Sequence, residues 1–88
     1  MNYMEYGFGL FVQDIAIVAQ RFQLDLEHLQ VEIFSPGRQA IFVETRGEHV
    51  FRIHLSLEED RIVAVKQIAG PPVPRENDLF EKYKLFMK

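Results

Sequence analysis

Eighty-eight residues make one domain with no room for a second core, and 48% hydrophobic with 26% charged residues is the balance of a chain that folds. A net charge of −3, from 10 basic and 13 acidic residues, is too mild to drive non-specific nucleic-acid binding. The absence of cysteine excludes disulfides, thiolate metal sites and thiol catalysis, and it points to a reducing compartment.

The opening stretch MNYMEYGFGLF has neither the basic n-region nor the small-residue cleavage box of a signal peptide. No apolar run approaches the roughly 20 residues that span a bilayer, so the expectation is a cytoplasmic protein with no membrane association. Tyr3, Tyr6 and Phe8, interrupted by Gly7 and Gly9, form an aromatic arm. It reads as a fifth strand or a lead-in to the first helix, with a contact segment as the alternative.

From about Gly9 to Phe22 the pattern is helical. Phe11, Ile15, Val18 and Phe22 recur at the spacing of one helix face. Leu10, Val12, Ala16, Ile17 and Ala19 widen that face until only Gln13, Asp14, Gln20 and Arg21 remain as a polar stripe. Such a helix is expected to be covered on more than one side. Beyond it, Asp25 is placed to cap a further short turn.

Four strands follow. Leu29, Val31 and Ile33 alternate with polar residues in the first, and Ser35-Pro36-Gly37-Arg38 makes a turn. The second strand runs from about Gln39 to Thr45, and Arg46-Gly47 makes a tight hairpin connection. The third runs from Glu48 to Leu57 and the fourth from Arg61 to Ala69, around a charged turn at Glu59-Asp60. With Thr45 opposite Glu48, Phe42 faces Phe51 and Ala40 faces Ile53. With Glu58 opposite Arg61, Leu57 faces Ile62, Leu55 faces Ala64 and Phe51 faces Ile68. The first turn puts Ile33 beside Ala40 and Val31 beside Phe42. All three turns then collect one apolar face from Leu29, Val31, Ile33, Ala40, Phe42, Phe51, Ile53, Leu55, Leu57, Ile62, Ala64 and Ile68, against which the first helix is expected to pack.

The opposite face mixes Phe34, Ile41, Val43, Val50, Val63 and Val65 with Glu32, Arg52, His54, Ser56 and Gln67. Valine suits a pleated strand even when exposed, yet this many aliphatics makes a patch worth covering. Gly70-Pro71-Pro72-Val73-Pro74 must leave both helix and sheet. From about Asn77 to Met87 the pattern is helical again, with Asn77 or Asp78 as cap and Leu79, Phe80, Tyr83, Phe86 and Met87 as its apolar side. This helix is expected over the second sheet face or on another chain.

No constellation demands a particular chemistry. His49 and His54 are five apart on one strand and point to opposite faces, which rules out joint metal ligation. His49 is expected opposite Glu44 as an ordinary cross-strand pair. Glu58-Glu59-Asp60 lacks the spaced oxygens and glycine of a calcium loop and reads as a solvated hairpin tip. Ser35 and Ser56 are the only serines and neither sits in a nucleophile elbow; Gly7 and Gly9 do not make a phosphate loop.

The expected fold is α+β: an N-terminal helix packed on a four-stranded antiparallel meander, with a C-terminal helix. Residues 1–88 form a single domain, with a Gly/Pro-rich connection at 70–75. The expected function is a small non-enzymatic protein-interaction or regulatory module, acting through self-association or on another protein and needing no cofactor. Its candidate surface is Ile41, Val43, Val50, Arg52, His54, Val63, Val65, Tyr83 and Phe86. The alternative is a small-molecule or single-stranded nucleic-acid binder using the Arg52/His54 face or a helix–sheet pocket, although the charge argues against nucleic acid.

Overall fold

The computed structural model describes residues 11–88; the expected N-terminal aromatic arm, and Gly9 and Leu10 of the expected first helix, lie outside the described residues. Helix α1 spans Val12–Arg21, and strands β1 (Leu29–Ser35), β2 (Gln39–Arg46), β3 (His49–Ser56) and β4 (Arg61–Ala69) precede helix α2 (Asp78–Lys84). The strands form one antiparallel sheet in the order β1-β2-β3-β4. The α+β arrangement expected from the sequence is the one observed.

Helix α1 buries Ile15, Val18 and Ala19, and Phe22 just beyond it is buried as well. The helix ends because Gln23 turns left-handed at φ 56°, which lets Gln23 N donate to Gln20 O (3.1 Å) and Leu24 N to Ala19 O (2.8 Å). These two bonds satisfy carbonyls that the last turn would leave open. The short 3-10 turn Leu26–His28 follows, capped by the Asp25 carboxylate accepting from Glu27 N.

The β2–β3 hairpin turns at Gly47-Glu48, one residue later than the sequence suggests. Gly47 has φ 65°, the positive value that a two-residue hairpin turn asks of its first central position. The register is therefore two residues from the expected one: Phe42 faces Ile53, Ala40 faces Leu55, and Phe51 faces Glu44. A shift of two leaves every side chain on its expected face, so Ala40, Phe42, Phe51, Ile53 and Leu55 are all buried. His49 is moved: it faces Arg46 instead of Glu44, and its ring stacks on Phe51.

Bulges do change faces. An irregularity between Val31 and Ile33 turns Ile33 outward, 40% exposed, and puts Phe34 into the core in its place. In β4 the extra residues are Val63 and Ile68. After the first of them Val65 packs against the core and Gln67 sits opposite Phe51, while exposed Ala64 and Ile68 turn to the other face. One extra residue reverses the alternation, which is why these assignments differ from the ones expected.

Helix α2 begins at Asn77, whose side chain accepts from Leu79 N. It lies on the same side of the sheet as α1, contrary to its expected place over the second face or on another chain. Phe80 and Tyr83 stand edge-on to the Phe51 ring, with centroids 5.3 and 5.4 Å away, and Phe86 meets Phe22 at 5.5 Å. At the other end Phe11 touches Phe34, which stacks on Phe42. The buried apolar side chains other than Val43 form one cluster between the sheet and the two helices. Burying this apolar surface contributes about 25 cal/mol per Å².

Candidate interaction surface

With both helices on one side, the second face of the sheet is left without a covering element among the described residues. The strand register arranges it in rows. Ile33, Ile41, His54 and Ala64 lie side by side across the four strands. The next row holds Gln30, Val43, Arg52 and Lys66, and beyond it lie Thr45, Val50 and Ala69, with bulged Ile68 39% exposed.

Val43 is only 8% exposed although no helix covers it. The ion pair between Arg52 on β3 and Glu32 on β1 accounts for this, because it must reach across β2 at the level of Val43. The guanidinium binds both carboxylate oxygens, Nε to Oε1 at 2.7 Å and Nη2 to Oε2 at 3.2 Å. This bidentate contact holds the Glu32 carboxyl below the usual carboxylate range and raises Arg52 further above its ordinary value. In the neighbouring row His54 Nε2 lies 3.2 Å from Gln39 Oε1.

Six of the nine residues singled out from the sequence share this face: Ile41, Val43, Val50, Arg52, His54 and Val63. The other three do not. Val65 belongs to the helix side, Tyr83 is fully buried, and Phe86 packs on Phe22. Ile33, Lys66 and Ile68 join the face unforeseen, all three through bulges.

The comparisons add no relative. No family model matches the chain, and neither the curated proteins nor the solved structures yield a match.

The helix side holds a polar cluster that the sequence reading missed. Glu44 is completely buried, the one charged residue in the core of the described chain. Its carboxylate accepts from Asp25 N at 2.6 Å, from Lys82 Nζ at 2.9 and 3.1 Å, and from the Tyr83 hydroxyl. Arg46, beside it, donates to Leu79 O at 3.0 Å and lies over the Tyr83 ring. Burial, and then the bond to Glu44, push the Tyr83 hydroxyl far above the ordinary tyrosine value. An open concavity reaches this cluster between Asp25, His28, Arg46, His49 and Lys82. His28 lies 2.6 Å from Asp25 Oδ2 and holds that carboxyl below its usual range. Among the described residues no buried side-chain polar atom lacks a partner, so Glu44 is spent on holding β2, the 3-10 turn and α2 together. Among the described residues no three His, Asp or Glu converge as metal ligands.

Proposed function

We propose that this chain is a small non-enzymatic protein-interaction module of the cytoplasm that meets its partner, a second copy or another protein, through the uncovered face of the sheet. The observation that supports it is the placement of both helices on one side. Ile33, Ile41, Val50, Val63 and Ile68 are thereby left on a face that no element of the described chain covers. Aliphatic side chains gathered on the solvent side of an antiparallel sheet, where polar ones are usual, are what an interaction surface offers. No helix among the described residues is long and apolar enough to cross a membrane, which fits a partner met in water.

The nucleic-acid alternative draws less support. The Arg52 guanidinium is committed to Glu32, and among the described residues the face carries no Phe, Tyr or Trp ring on which a base would stack, His54 being its one aromatic side chain. Ile41→Lys is the test. We expect the circular dichroism spectrum to persist while the capture of protein, own or foreign, by the tagged chain from nuclease-treated extract falls at least tenfold. Capture equal to that of the wild type by a folded Ile41→Lys variant would sink the reading.

A further inference from the structure

We infer that the occupant of the open face is a second copy of this chain, packed sheet on sheet; the inference rests on the interaction-module reading above. Three features favour a copy over a partner of another kind.

The first is that the edges of the sheet are closed to strand addition. β1 carries a bulge at Glu32, and β4 carries two, at Val63 and Ile68. Bulges twist an edge away from a flat incoming strand, and the Ile62 amide at the start of β4 already donates to Phe86 O. An extended peptide that adds to a sheet edge is therefore poorly served.

The second is charge. The face carries an acid and a base already bonded to each other, Glu32 and Arg52, with Lys66 the only other full charge near the centre. The acidic turn at its end is matched too: Glu58 with Arg38, Glu59 with Arg61 and Asp60 with Arg21. A strongly acidic or basic partner finds no complement here. A copy of the same face meets only the like charge of its own Lys66, an exposed and flexible side chain that can turn to solvent, and the whole chain's −3 opposes pairing only weakly.

The third is area and shape. Strands of 7 to 9 residues, at about 3.3 Å per residue and about 4.8 Å apart, give a face of roughly 450 Å² in projection. Two such faces bury about 1,000 Å² in all once side-chain relief is counted, the lower limit for a specific interface. Two sheets of the same twist also stack about 10 Å apart with strand directions within about 30° of each other, and their aliphatic side chains interdigitate. A small, matched, neutral contact of this size predicts a weak and concentration-dependent dimer, not an obligate one.

The experiment is sedimentation of the purified chain from about 1 μM to about 1 mM, a span that covers weak interfaces of this size. We expect a monomer–dimer equilibrium that Ile41→Lys weakens at least tenfold. Ile33→Thr, a milder change at an exposed site, should weaken it about threefold. Ile17→Lys, on the 56% exposed outer side of α1, should leave it unchanged. A chain that stays monomeric throughout overturns the inference. The interaction reading survives that result if Ile41→Lys still abolishes capture from extract, and falls with it otherwise. A dimer lost in Ile17→Lys but kept in Ile41→Lys also overturns the inference, by placing the contact on the helices.

Discussion

Gln23 and Gly70 both adopt positive φ, 56° and 94°, and differ in what surrounds them. Gln23 is exposed and serves only to end α1, so its side chain carries a left-handed penalty with nothing gained. Gln23→Gly should raise stability by about 0.5–1 kcal/mol in urea unfolding. At position 70 the same chemistry runs the other way. A Cβ there would lie 2.2 Å from the Glu48 carbonyl oxygen, where the chain leaves β4 close against the β2–β3 turn. Backbone cannot yield as a side chain does, and Gly70→Ala should cost about 2–3 kcal/mol in the same assay. Equal stability of the two variants would show that neither backbone position is strained. The turn glycines were legible from sequence because glycine marks such positions. Glu44 was legible in principle as well, since it continues the inward-facing alternation of Ala40 and Phe42. An acid in that series is a request for a buried donor, and Lys82 with Tyr83 supplies it from 38 and 39 positions away, a separation at which no local pattern announces a partner.

At the scale of elements, α2 is held by that carboxylate as much as by its aromatic side. Glu44→Ala leaves the Lys82 ammonium partly buried and the Tyr83 hydroxyl without its acceptor. It should cost about 3 kcal/mol, the lower end for breaking a buried pair because Lys82 still reaches water. Combining Glu44→Leu, Lys82→Met and Tyr83→Phe removes the polar groups together and should recover most of that loss. It should fall short by about 1 kcal/mol because Asp25 N remains unmet. If the triple variant is less stable than Glu44→Ala, the cluster contributes more than its buried charge costs.

Alkaline pH gives a second check on the same element. The Tyr83 hydroxyl has its pKa raised in the folded state, chiefly by burial. Its contribution is thus complete below the ordinary tyrosine value of about 10 and lost as pH rises above it. The thermal midpoint should decline above about pH 10 in the native chain and decline less in Tyr83→Phe; parallel decline would exclude Tyr83 as the cause. At the acid end Asp25 and Glu32, both lowered, hold their stabilising contributions above the ordinary carboxylate range and lose them as pH falls through it. The elements themselves were legible in sequence from periodicity and caps. The bulges were not, because Glu32, Val63 and Ile68 are ordinary strand residues whose insertion is settled by packing between strands. Misplacing them sent Ile33, Phe34, Ala64, Val65 and Ile68 to the wrong faces.

At the scale of the whole molecule, the two faces of the sheet were legible because an error of two residues in the hairpin register preserves the alternation. What periodicity could not assign was the side on which α2 lies, since its apolar stripe fits either face equally well. That choice decides which surface of the protein is open. It is made by Glu44 and Phe51, which present one buried acid and one ring to a helix able to answer both.

The same cluster has a temporal side. A chain synthesised from its N-terminus completes β2, with its inward carboxylate, well before Lys82 and Tyr83 exist. Until those residues have left the ribosome, the sheet holds a carboxylate on its apolar face with only the Asp25 amide to meet it. The nascent meander therefore has reason to stay loose and hydrated around Glu44, closing only when α2 arrives. Maturation of this domain is in that sense a late event, timed by two adjacent residues of its last helix.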